Sequence, residues 1–238
     1  MKLFRGITVS ENQALVVIDQ INKNGLNYGD GKWRLEMPDL KNIFTSTDWK
    51  KYITDQKYRE DYFPEKKYMK IVCACADKKS ALYYADVHNR TTEHNVPILI
   101  EFDALTKDIV IDTRDFLETV FGMWPYSTNT IPKNQQIETI LLDIFGKSFN
   151  PYIQALYATP TDNHASKMKL VNIASNDSTI IHDHSNNQTW INGRHGTFFR
   201  TAFCIRDQIL PTQINRVYIP QDSFSTPFEY VHLHDVIH

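Results

Sequence analysis

Short apolar blocks separated by polar stretches run the length of the chain, and their spacing predicts the elements. Leu3-Phe4-Arg5-Gly6-Ile7 reads as a short strand with one charged residue at its centre. Ser10-Glu11-Asn12-Gln13 has the spacing of a capping box, in which hydroxyl and amide side chains satisfy free amides at a helix start. The helix it announces carries Leu15, Ile18 and Ile21 on one stripe and stops at Gly25. Residues 26–48 keep no period and read as loops. Ile71-Val72-Cys73-Ala74-Cys75-Ala76 is apolar throughout, the pattern of a buried strand, and Asp77 after it is a good N-cap. The predicted helix Lys78–Val87 has Ala81, Tyr84, Ala85 and His88 on one side.

Pro97–Phe102 and Ile109–Ile111 read as further buried strands. Gln135–Phe145 has helical period, with Ile137, Ile140, Leu141, Ile144 and Phe145 facing in and Gly146 as the stop. Strands are expected again at Lys169–Ile173, Thr179–His182, Phe198–Ile205, Arg216–Ile219 and Tyr230–Leu233. No repeat or long linker divides the chain. The expectation is an α+β fold in one domain over residues 1–238, helix-rich first and strand-rich later.

Composition narrows the function classes. A chain of 238 residues with 42% hydrophobic and 23% charged residues is long and apolar enough for one large core, which excludes wholesale disorder. No apolar run reaches the ~18–20 residues of a membrane helix, and the first residues lack a signal peptide's apolar segment. The three cysteines, Cys73, Cys75 and Cys204, form no disulfide framework, and the C-x-C lacks partners for a four-ligand zinc site. Reduced thiols in a cytoplasm are expected.

The formal charge of −2 gives no global basic field. One stretch departs from it. Residues 49–70 hold seven basic against four acidic side chains, a net of +3, interleaved with Trp49, Tyr52, Tyr58, Tyr62, Phe63 and Tyr68. Positive charge with aromatic rings is the composition of a single-strand nucleic-acid platform, and equally of an amphipathic surface helix. Among nine histidines, His182-Asp183-His184 would share a strand face, yet Ser185-Asn186-Asn187 follows where a metallo-hydrolase needs Asp-His. Gln188 stands where a cupin-type site needs Glu. Polar loop histidines, and no metal, are the expectation.

Three pieces taken in order resemble the ADP-ribosyltransferase superfamily, toxin-like enzymes that split NAD and move ADP-ribose to a target. They are the strand L-F-R-G-I before a helix, the strand running into Ala81-Leu82-Tyr83-Tyr84-Ala85, and the late Arg206-Asp207-Gln208-Ile209-Leu210-Pro211 turn. The resemblance implies a split mixed or antiparallel sheet with flanking helices, NAD as co-substrate and no metal. It implies that Arg5 is catalytic and, with Gly6, Thr47, Tyr83 and Tyr84, binds the dinucleotide. Arg5 would grip phosphate or ribose through its fork of donors, and the tyrosines would meet the nicotinamide ring. The alternative for Arg5 is an edge-strand side chain reaching water, and for Tyr84 plain helix packing.

The resemblance also places an acceptor: a base in RNA or DNA, held by Lys50, Lys51, Lys66 and Lys67 and stacked by Trp190, or else a protein side chain. Trp190 folded back onto the core is the other reading. A toxin or phage-defence role implies an antitoxin or chaperone partner, and no membrane is implied. Two positions depart from the family pattern. Cys75-Ala76-Asp77 stands where S-T-S belongs, while Thr45-Ser46-Thr47 matches that text but lies earlier. Gln208 stands where the catalytic glutamate belongs, with its shape but without its charge. A natural variant, a shifted register or a deliberate Glu→Gln substitution would each account for it. A non-catalytic nucleic-acid- or partner-binding protein is the competing class.

Overall fold

Strand β1 (Lys2–Ser10) meets different neighbours on its two faces. Leu3 turns into the main apolar core, whereas Gly6 lies under a helix, where a Cβ would stand 1.8 Å from the Ala81 carbonyl oxygen. Only a residue without a side chain admits that approach. The computed structural model describes residues 1–27, 71–123, 130–161, 163–193 and 196–232. β1 pairs antiparallel with β3 (Asn95–Asp103) along its whole length, and β3 carries β8 (Ile214–Tyr218) on its other edge. A second antiparallel sheet has β7 (Phe203–Ile205) between β2 (Val72–Ala74) and β4 (Ile109–Ile111). A third, small sheet joins β6 (Phe198–Phe199), β5 (Ile191–Asn192) and β9 (Val231–His232), with β5 and β9 parallel.

Among the described residues, the first two sheets meet at a single bridge, Phe4 opposite Cys75, whose two amide-to-carbonyl bonds both measure 2.8 Å. No further β1–β2 pair follows it, so the sheet is split there. Among the described residues, seven α-helices surround these sheets: α1 (Ala14–Asn24), α2 (Lys78–Tyr83), α3 (Leu117–Val120), α4 (Gln135–Phe145), α5 (Asn150–Ala158), α6 (His164–Ser175) and α7 (Ser178–Ser185). The α+β class holds. None of these helices is long and apolar enough to cross a membrane.

Several expected elements take another form. Lys169–Ile173 and Thr179–His182 are helical, inside α6 and α7, where strands were expected. The caps explain why: Asn163 accepts from the Ser166 amide, and Asp177 from the Thr179 and Ile180 amides, satisfying donors that a strand would have paired elsewhere. Phe198–Ile205 is two strands in different sheets, broken at Arg200–Ala202. Ser10 makes no side-chain capping bond, so the expected capping box is absent, and Leu15 points outward at 78% exposure while Ala14 and Ile21 carry the buried side. The stop at Gly25 stands, its φ of 74° lying where glycine is favoured.

The core runs from Leu3, Ile98, Ile100 and Phe102 through Phe116, Phe121 and Phe203 to the inner faces of α4–α7. Two charged residues are buried among the described residues, Glu118, which accepts from the Thr113 hydroxyl at 2.7 Å, and Lys167. Lys167 of α6 is buried, and its ammonium donates to the Phe121 carbonyl at 3.1 Å and to the Thr130 hydroxyl, which replaces part of the hydration it loses.

Candidate functional site

The split between β1 and β2 gathers the chemistry. Cys75 spends both backbone groups on Phe4, so Cys73, two residues away on the same strand, also aims its carbonyl toward β1. There the ladder has stopped, and the Arg5 guanidinium fills the gap, donating to the Cys73 carbonyl at 2.8 Å. A half-buried arginine thus satisfies an acceptor that the split would otherwise leave open.

The same geometry defines what lies across β2. Because the backbone groups of Cys73 point away from β7, its pairing with Cys204 is of the non-hydrogen-bonded kind, where Cα atoms come within about 4.5 Å and side chains are closest. Cys204 is fully buried and Cys73 is exposed. The Cys204 thiol lies 3.5 Å from Asp112 Oδ2, and the Cys73, Cys204 and Asp112 ligand atoms all lie within 4.8 Å of one another. Arg114 holds Asp112 from one side, its Nε at 2.7 Å and its backbone amide at 3.2 Å from Oδ1, with Nη2 on Oδ2. The same Nη2 is 3.9 Å from Cys73 Sγ.

Cys73 is therefore easily ionised. A hydrogen bond from Cys204 lowers its thiol to about 6, the guanidiniums of Arg114 and Arg5 act in the same direction, and burial and Asp112 oppose them. Cys75, on the helix side of the strand, is buried, and that burial pushes its thiol well above the usual value. Asp112 in turn holds Arg114 firmly protonated.

A second polar cluster sits where β2 ends. The Asp77 carboxylate accepts from the Ser80 amide at 2.8 Å, the Ser80 hydroxyl at 2.7 Å and the Thr201 hydroxyl at 3.1 Å, and Thr201 accepts from the Ala76 amide at 2.8 Å. This fastens α2 to the start of β7. Next to it Tyr83 packs against Tyr84, His88, Phe198 and Phe224 with ring centroids 5.0–6.1 Å apart, and its hydroxyl donates to the Gly196 carbonyl at 3.0 Å.

The expected site residues are only partly brought together. Arg5 stands in the split. Gly6 serves the contact with α2, and Tyr83 and Tyr84 lie on the helix that this contact holds. Gln208 is exposed three residues past Ile205, which opposes Val72, so it lies off the opposite end of β7 from Asp77 and Thr201. Trp190 is folded back and buried, with the Arg200 guanidinium 4.8 Å over its ring and Phe224 at 5.9 Å, which removes it as an open stacking platform. Thr47, Lys50, Lys51, Lys66 and Lys67 lie outside the described residues.

The histidine pair also changes character. On α7, His182 and His184 diverge by two helical positions, and His184 is a core residue rather than a loop residue. One ring nitrogen meets the Ile144 carbonyl at 3.1 Å, the other accepts the Ala202 amide at 3.2 Å, and Phe145 stacks on the ring at 4.9 Å. Both nitrogens are used within the protein. Sequence reasoning missed the Cys73–Cys204–Asp112–Arg114 set because its members come from β2, β7 and the turn after β4, which are distant in sequence; the C-x-C was its only visible sign. No family model matches the chain, and neither a curated protein nor a solved structure matches it.

Proposed function

We propose that this chain is an ADP-ribosyltransferase-like enzyme that takes ADP-ribose from NAD and transfers it to a macromolecular acceptor. The observation that carries the reading is Arg5 on the first strand, in the opening where β1 and β2 part, with the tyrosine-bearing helix following directly from β2. A split sheet with an arginine at the split suits a dianionic pyrophosphate, since a guanidinium offers parallel donors to two phosphate oxygens. Tyr83 and Tyr84 follow on the helical segment after β2, although Tyr83 is packed against Phe198 and Phe224. Gln208 is removed from this opening along β7, so the proposal rests on Arg5 and not on the late turn. For the acceptor, the basic aromatic stretch 49–70 favours a nucleic-acid base over a protein side chain.

The test is NAD binding followed by thermal shift and calorimetry on the wild-type chain, Arg5→Ala and Arg5→Lys. NAD should raise the midpoint of the wild type, and Arg5→Ala should lose that rise while still unfolding cooperatively. Arg5→Lys, which keeps the charge but not the fork, should retain part of it. A wild-type chain that NAD does not stabilise, or an Arg5→Ala chain stabilised as fully as the wild type, would overturn the proposal.

A further inference from the structure

We propose that Cys73 and Cys204 are a reversible redox pair that closes to a cross-strand disulfide on reaction with a small-molecule disulfide such as oxidised glutathione. This goes beyond the transferase reading and does not depend on it. Three features of the geometry carry it. The two cysteines face each other at a non-hydrogen-bonded position, a class of pair whose Cα atoms typically lie about 4.5 Å apart, at the short end of the disulfide range. Their exposure is unequal: Cys73 is exposed and can meet a reagent, whereas Cys204 beside it is fully buried. Their neighbours supply the needed charges, with the Arg114 and Arg5 guanidiniums beside Cys73 and the Asp112 carboxylate beside Cys204.

The ligand spacing of Cys73, Cys204 and Asp112 would also fit a metal ion. The charges argue otherwise. Both Asp112 oxygens already hold Arg114, and two guanidiniums flank the thiols, which favours a thiolate and opposes an added cation.

The exchange balances in two steps. The Cys73 thiolate attacks one sulfur of the small disulfide; a bond forms between Cys73 and that sulfur, the small molecule's own sulfur–sulfur bond breaks, and one small thiolate leaves. Cys204 then gives its proton to Asp112, and its sulfur attacks Cys73 Sγ, forming the protein disulfide and releasing the second small thiolate. The two protein sulfurs have lost two electrons, the small disulfide has gained them, and the proton on Asp112 passes to a leaving thiolate or to water. Cys75 takes no part, because it is buried among Ala81, Leu82 and Leu99 and remains a thiol.

The experiment oxidises the full chain with oxidised glutathione, quenches in acid, alkylates, and reads the intact mass and the cross-linked peptides. Two of the three thiols should disappear together in one Cys73–Cys204 link, with Cys75 alkylated only after unfolding and reducing agent restoring all three. Cys204→Ser should stop at a mixed disulfide between Cys73 and glutathione. Cys73→Ser should slow thiol loss at Cys204 at least tenfold. A link through Cys75, thiols lost independently, or no mixed disulfide on Cys204→Ser would overturn the proposal. Circular dichroism of each variant guards the comparison, and Cys204→Ala, which keeps a small buried side chain, repeats the trapping experiment should the serine variant not fold.

Discussion

The split at β2 and the packed face of α7 each hold an ionisable group whose pKa is lowered, with opposite consequences. At the split, a thiol donor and two guanidiniums surround Cys73, so a lower value means a charged group near neutral pH. On α7, His184 lies among Phe145, Phe203 and backbone groups; burial lowers it to about 4, so a lower value means an uncharged ring. Neighbouring charges stabilise the ionised form in one place, and loss of water removes it in the other. The first arrangement makes a reactive group and the second a structural one. The difference lies in what surrounds each residue, since a cysteine or a histidine can serve either purpose.

Four measurements break or sharpen this contrast. The largest effect belongs to Gly6→Ala, which drives a methyl into the Ala81 carbonyl and separates α2 from β1. Overpacking of that kind costs about 3 kcal/mol, read as a lowered denaturation midpoint. The split should lose its geometry with it, so Cys73 alkylation at pH 6 should slow as well, while the α7 face stays intact to the denaturation point.

Acid should act on the α7 face next. The unfolded chain protonates His184 near 6.5 and the folded chain only near 4, so between those values the unfolded state binds more protons. Its contribution is complete above about pH 6.5 and is lost as pH falls to about 4, a decline on the order of 3 kcal/mol for this residue. His184→Gln should flatten that part of the stability curve. An unchanged slope in the variant would show that other groups dominate acid unfolding.

At the split the readout is reactivity. Alkylation of Cys73 by iodoacetamide should follow a titration near pH 6, faster above it and slower below. Arg114→Gln removes one of the charges responsible and should move that midpoint up by about one unit, roughly a tenfold loss of thiolate on the acid side. A midpoint that does not move would mean that Cys204 and Arg5 sustain the shift without Arg114. The smallest effect serves as a reference outside both regions: Asp19→Ala breaks the exposed Asp19–Lys23 pair on α1, 2.7 Å long, and should cost about 0.3 kcal/mol without touching either titration.

Local signals in the chain were sound where structure is local. Asp77 before its helix, Gly25 and Gly146 as stops, and the short apolar run Pro97–Phe102 all announced their elements, because caps and short runs act within one turn or one strand. They failed where a segment's face is chosen by its partners. The period of Lys169–Ile173 and Thr179–His182 suits a strand or a helix, and packing against α5 and α4 made them helical. Leu15 satisfies the helical stripe, yet α1 lies on the sheet by Ala14 and Ile21.

For the candidate site, the chain itself determined an arginine in the first strand, a glycine beside it and a tyrosine-bearing helix after the second strand. Only the tertiary structure decided what Arg5 touches, which cysteine is buried, and that Gln208 stands apart from Tyr83. Those properties depend on β7 coming between β2 and β4, and on the β1–β2 ladder stopping after one bridge. Residue type and spacing record what the backbone does over a few positions. The partners of a thiol or a guanidinium are set by strands distant in sequence, and their register exists only once the sheet has formed.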